Sequence, residues 1–281
     1  MDALVLSAWR KGSAVVVGLD PDPRHLPPEM RGLPEAEAAR EFCLGILEAV
    51  APEAAAVKLQ SAYFERLGAP GVVLYAELLR AAADLGLPTI ADVKRGDIGP
   101  VAAAYAEAHL SVYGATSVTV NPYMGVDAVV PFLDEARRVG VGGGAFVLVA
   151  TSNPSAAELQ NSSEPPLYEI AARLVEDLGS LGETGYPDAG AVVGATRPEV
   201  GRRVRELLPD TLFLSPGYGA QMGDAANVRA LLDARGTGVL VNSSRGILRA
   251  FEGTEVGYKD AAHAAARRMR EDLNSAGVRV R

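Results

Sequence analysis

The stretch 90–99, IADVKRGDIG, sets two acids and a base close together as Asp92, Lys94 and Asp97. Asp92 and Lys94 are two apart, so a strand running through both projects them from one face as neighbours. Asp97 stands in a Gly-flanked turn at the head of the next helical stretch, where its carboxylate can cap that helix or reach into a site. Taken alone, a solvated turn is the better account of this segment. Lys58 changes the reading, because it follows a run of small and apolar residues within AAAVKLQ at 54–60, a position that buries its stem. Opposite charges about 4 Å apart attract by roughly 4 kcal/mol at an effective dielectric near 20, whereas an unpaired buried charge is neutralised. Lysines alternating with aspartates therefore keep one another ionised, and a fixed ammonium among them can stabilise developing negative charge and deliver a proton.

A second constellation reads as an anion clamp. SPGYGAQMGD at 215–224 and NSSRGI at 242–247 are small-residue turns, each followed by a helical stretch. Their glycines leave backbone N–H groups open to a phosphate, and Arg245 can donate to it in bidentate fashion.

The elements that must position these groups are legible as an alternation. Strand-like runs occupy 14–20, 54–60, 88–94, 116–121, 145–151, 190–194, 211–215 and 238–242. Between and after them lie amphipathic stretches at 35–50, 70–85, 99–112, 125–139, 166–180, 197–208, 223–234 and 256–276, with apolar residues near a 3.6-residue period. Strand and helix in strict alternation imply parallel pairing, and eight such units in one chain predict a (β/α)8 TIM barrel spanning 1–281 as a single domain. An open doubly wound sheet is the other possibility, but no G-x-G-x-x-G follows the first strand. In a barrel all strand C-termini meet at one mouth. Asp20, Lys58, Asp92, Lys94, Asn121, Ser152, Ser215 and Asn242 all stand at or just past a predicted strand end. The segments 152–166 and 181–190, rich in Ser, Pro, Gly and Asn, read as surface loops. The first is placed over the mouth, either as a lid or as a tolerated insertion; with 217–224 it is expected to become ordered when a ligand binds.

Composition narrows the function classes. With 281 residues, 48% hydrophobic, the chain can bury a core without staples. A formal net charge of −8 argues against a general nucleic-acid surface, so any phosphate site is local. The lone Cys43 permits no intramolecular disulfide and reads as a small buried apolar residue, which suits a reducing cytoplasm. No signal peptide or membrane-spanning apolar run is evident. His25, His109 and His263 form no spaced ligand cluster, so no metal site is expected, and each is expected in a loop or on a helix surface.

With these features in view, the chain resembles the orotidine 5'-monophosphate decarboxylases, in particular their longer bacterial branch. The signature D-x-K-x-x-D-I is intact as Asp92, Lys94, Asp97 and Ile98. Further similarities run through GLDPDP at 18–23, VKLQSAYFERLG at 57–68, TVNPYMG at 119–125, TSNPS at 151–155, SPGYGAQ at 215–221 and NSSRGI at 242–247. The resemblance implies a metal-free and cofactor-free homodimer that converts orotidine 5'-monophosphate to uridine 5'-monophosphate. It implies that Lys94 protonates C6, Asp92 faces the departing carboxylate, Lys58 orients the array, and Asp97 serves the neighbouring subunit's site. By the same resemblance Asp20 holds a ribose hydroxyl, Ser152 the pyrimidine ring, and Gln221 and Arg245 the phosphate. Pro216, Gly217, Tyr218, Gly219 and Ser244 complete the substrate-binding loops.

Two positions depart from the family pattern. Val101 stands where a ribose-contacting Thr is usual, and Ser244 where some relatives have Gly. Two rival readings stay open on the residues: a Mg2+-dependent sugar-phosphate decarboxylase or aldolase of the same barrel superfamily, and a nucleotide-binding barrel without turnover.

Overall fold

The computed structural model describes residues 1–218 and 225–281. Eight strands, β1 Val15–Leu19, β2 Ala56–Gln60, β3 Thr89–Arg95, β4 Ser117–Val120, β5 Gly144–Ala150, β6 Ala189–Val193, β7 Phe213–Pro216 and β8 Val239–Ser243, pair in parallel in chain order. Pairing of β1 with β8 closes the sheet into a barrel. Because side chains alternate along a strand, each apolar run supplies two cores at once. Val16, Ala56, Ile90, Phe146, Val192, Leu214 and Leu240 fill the barrel, whereas Val15, Val17, Val57, Leu59, Val118, Val147 and Val241 pack outward against the helices. That two-sided burial is why the strands are mostly apolar, with Lys58, Thr89, Ser117 and Thr119 as buried polar exceptions.

All eight predicted strands are present within two residues of their expected bounds, and the covering helices differ more. The expected helix 99–112 is α-helical only over Gly99–Ala106 and continues as a π-helical turn, Glu107–Val112. The expected helix 125–139 begins at Val130, because Pro122 and Gly125, at φ 82°, divert the chain through short 3-10 turns first. Of the expected 223–234, the described part is a helical turn, Ala225–Val228, and a 3-10 turn, Arg229–Leu231. The segment 152–166 is not loop throughout, since Ala156–Gln160 is helical, and 181–190 ends inside β6.

One element had no counterpart in the sequence reading. The helix Asp2–Lys11 lies across the barrel end remote from the strand C-termini, with its Ala3 N–H bonded to the Gly142 carbonyl just before β5. Leu4, Val5 and Ala8 on one face pack against Val16, Phe146 and Leu240. A barrel open at that end would leave its inner layer wet, and each Leu or Val buried in it contributes roughly 1.5–3 kcal/mol.

His109 departs from expectation: it is 5% exposed, in the π-helical turn, with its ring centroid 6.1 Å from that of Tyr75 and 5.6 Å from that of Tyr113. Burial, reinforced by the Arg95 guanidinium, lowers its pKa to about 4. As pH falls from about 6.5 toward 4, the unfolded imidazole takes up a proton that the folded one refuses, so stability is lost through that window. We expect the urea midpoint to drop on going from pH 7 to pH 5, and His109→Phe to remove about 1–2 kcal/mol of that drop. His25, by contrast, sits in an exposed-side 3-10 turn with Nδ1 3.0 Å from Glu252 Oε1, and His263 lies on the helix Tyr258–Ser275. Cys43 is fully buried in the outer core, and burial pushes its thiol pKa up.

Candidate active site

The parallel register decides which strand-end side chains meet. Gln60 on β2 pairs with Asp92 on β3, and Lys58 lies two residues earlier on the same inward face. Asp92 is thereby surrounded by donors. Its Oδ2 accepts from Lys58 Nζ at 2.7 Å and Gln60 Nε2 at 3.0 Å; its Oδ1 accepts from Lys94 Nζ at 2.5 Å and Thr119 Oγ1 at 3.0 Å. Burial would raise the Asp92 pKa, but Lys58 and Lys94 outweigh it and hold the carboxyl well below the usual carboxylate range. Burial would likewise lower that of Lys58, and the charges of Asp92 and Asp20 reverse it and raise it. Lys58 and Asp92 are therefore held ionised, and the Lys94 amine lies on the other side of the one carboxylate.

Lys94 has a backbone that the spacing argument did not anticipate. Its φ is 45°, and among the described residues it is the only non-glycine with a positive φ. The β3–β4 register breaks there: Ala91 pairs with Val118, but Arg95 pairs with Val120, so three residues of β3 face the single Thr119. Thr119 Oγ1 accepts the N–H groups of both Val93 and Lys94 at 3.0 Å while donating to Asp92, and so replaces the lost ladder bonds. A non-glycine residue in this region costs about 1–2 kcal/mol and persists only where its surroundings over-determine it. The bulge turns Lys94 outward to the rim, where its side chain is 44% exposed against 6% for Lys58.

Beside the array opens a cavity of about 480 Å³, lined by Lys58 and Asp92 together with Asp20, Pro216, Gly217 and Tyr218, and closed on the β8 side by Asn242, Ser243, Ser244 and Arg245. Gly217, at φ 100°, turns the chain after β7, and the Tyr218 hydroxyl donates to Asp272. Gly18 lets β8 approach, because a Cβ there would lie 2.0 Å from Ser244 Oγ. Lys94, Asp97 and Ser152 do not line this cavity; Lys94 reaches its edge through the ion pair with Asp92. The Asp97 carboxylate accepts from the Ile98 N–H at 2.8 Å, and Ser152 packs against Gly194 after β6. Asn121 caps the turn Pro122–Met124, and Ser215 faces outward between an inward Leu214 and Pro216, so neither serves the mouth. Gly219 and Gln221 lie outside the described residues. Among the described residues, no three His, Cys, Asp or Glu side chains gather so as to hold a metal ion. Gln60 and Thr119 were missed from the sequence; Gln60 could have been found by its two-residue spacing from Lys58.

The whole of this arrangement falls within a family pattern. Residues 13–259 match the model of the orotidine 5'-phosphate decarboxylase / HUMPS family. The chain belongs to this family. It is 41% identical to the orotidine 5'-phosphate decarboxylase of Rhodopirellula baltica, over 94% of this chain and 95% of the relative. With the Deinococcus radiodurans enzyme of that name it shares 44% identity, over 92% and 91% of the two chains. The solved structure of Leishmania donovani OMP decarboxylase superposes with a TM-score of 0.80 at 36% identity, covering 98% of this chain and 97% of that one. As a member the chain is an orotidine 5'-phosphate decarboxylase of pyrimidine biosynthesis, built as the TIM barrel expected from its alternating elements. No helix among the described residues is long and apolar enough to cross a membrane.

Proposed function

We propose that this enzyme converts orotidine 5'-monophosphate to uridine 5'-monophosphate and CO2 without metal or cofactor, with Lys94 as the proton donor to C6. The observation that carries the reading is the Lys58–Asp92–Lys94 array, one carboxylate held between two lysine amines at the cavity edge. Breaking the bond between C6 and the carboxylate leaves an electron pair in the ring plane, where π delocalisation cannot accept it. An ammonium fixed beside C6 stabilises that pair and then transfers its proton to C6, leaving a neutral amine that solvent reprotonates. Asp92 aims the Lys94 ammonium, and the repulsion between the Asp92 carboxylate and the substrate carboxylate is relieved as CO2 departs. Arg245 and the turns after β7 and β8 hold the phosphate, and binding energy from that remote group supports the step at the ring.

The site is completed by a second copy of the chain, whose Asp97 joins the array. Two features support this. Asp97 is turned away from its own cavity. Ile98, Val101 and Tyr105 beside it form an exposed apolar stripe at helical spacing, with Ile98 59% exposed. Val101 belongs to that stripe rather than to a ribose contact of its own cavity.

Decarboxylation followed by the pyrimidine absorbance is expected to proceed at full rate in excess EDTA. A rate lost on chelation and restored by Mg2+ would instead favour the sugar-phosphate type of barrel. A reducing cytoplasm suits the lone buried Cys43.

A further inference from the structure

Asn242 closes the cavity floor from β8 and takes no part in the charge array. It is 6% exposed, pairs in register with Val16 on one side and Pro216 on the other, and lines the cavity. Its inward neighbours along the wall, Val16, Leu214 and Leu240, are apolar, so packing alone would favour Leu or Val here. Yet its Oδ1 is buried and accepts no hydrogen bond from any described residue. Such a group weakens the free protein and is retained where a ligand satisfies it.

A second orphan stands beside it. Asp20 Oδ1 is also buried and without a hydrogen-bond partner, at the end of β1, the strand that pairs with β8. Gly18 connects the two positions: a Cβ on it would lie 3.2 Å from Asn242 Oδ1, and its register partner on β2 is Lys58. Two acceptors on adjacent strands thus face the stretch of cavity between the lysine array and Arg245. What complements them is a pair of adjacent O–H donors. In a pyrimidine nucleotide the phosphate and the C6 carboxylate only accept, and the vicinal ribose hydroxyls are the paired donors.

Resting on the nucleotide reading above, we propose that Asn242 accepts a hydrogen bond from a ribose hydroxyl and, with Asp20, makes the site read the sugar's vicinal diol. Asn242 is then a specificity residue that selects ribonucleotides over deoxyribonucleotides.

The test is calorimetric binding of uridine monophosphate, its 2'-deoxy and 3'-deoxy analogues and inorganic phosphate to the full-length parent, Asn242→Leu and Asn242→Ser. The leucine variant is expected to bind uridine monophosphate about 5- to 10-fold more weakly. It should lose the parent's preference over one deoxy analogue, while binding that analogue and phosphate as the parent does. Its ligand-free Tm should equal or exceed the parent's, because a buried unsatisfied amide has been replaced by an isosteric apolar group. Asn242→Ser, too small to clash, should keep part of the preference through its hydroxyl. An unchanged ribo-to-deoxy ratio in a variant of normal Tm overturns the proposal. So does an equal loss on all three nucleotides with phosphate spared, which would assign the carboxamide to the ring. A parent that binds no uridine monophosphate and does not decarboxylate overturns the nucleotide reading and this proposal together; an active parent with an unchanged ratio overturns this one alone.

Discussion

Lys94→Ala is expected to lower kcat for decarboxylation by at least about ten-thousand-fold, because one substitution removes both the proton donor and the cation that stabilises the developing carbanion. Binding of uridine monophosphate should survive. The phosphate groups around Arg245 are untouched, and Asp92 retains three of its four donors, Lys58, Gln60 and Thr119. The fold should survive too, since Lys94 is a half-exposed rim residue. Single-turnover decarboxylation measured beside nucleotide titration and a melting curve separates these effects. A variant that keeps more than about a tenth of the parent's kcat, or loses nucleotide binding along with turnover, would remove Lys94 from the role of proton donor.

The second large effect is a recovery. If Asp97 acts in the neighbouring subunit's site, Lys94→Ala and Asp97→Ala are each nearly inactive alone, yet active when mixed. In a mixed dimer, the Asp97→Ala protomer supplies an intact Lys94 and receives an intact Asp97 from its partner. The other site lacks both. With random exchange in an equal mixture, half the dimers are mixed and each holds one complete site of two, so about a quarter of the parent's activity should return. Recovery is read by mixing the purified variants after mild dissociation and following decarboxylation against unmixed controls. A mixture no more active than its components would place Asp97 in its own subunit's chemistry or outside the chemistry altogether.

Much of this was legible before any coordinates. Strands announce themselves through Val-rich runs such as AVVVGLD, and the polar residues Asp20, Lys58, Asp92 and Asn242 near the ends of four runs mark the mouth, because a wall buried on both faces is mostly apolar. Helix bounds were read less well where proline and glycine act: Pro122 and Gly125 delay a helix to Val130, a local effect that apolar periodicity does not register. The helix Asp2–Lys11 was passed over because its role is to cover a barrel end that exists only once eight strands have closed.

At the site, the spacing of Asp92 and Lys94 and the burial of Lys58 were determined by the sequence alone, since a two-residue period and an apolar run are properties of neighbours in the chain. Tertiary structure decided the rest: the register break that puts Lys94 at φ 45°, Thr119 as the group that holds it there, the burial of His109, and the unsatisfied carboxamide of Asn242. Each depends on which residue of a distant strand or helix lies opposite, and that is set by ladder register and closure of the barrel across long sequence separations.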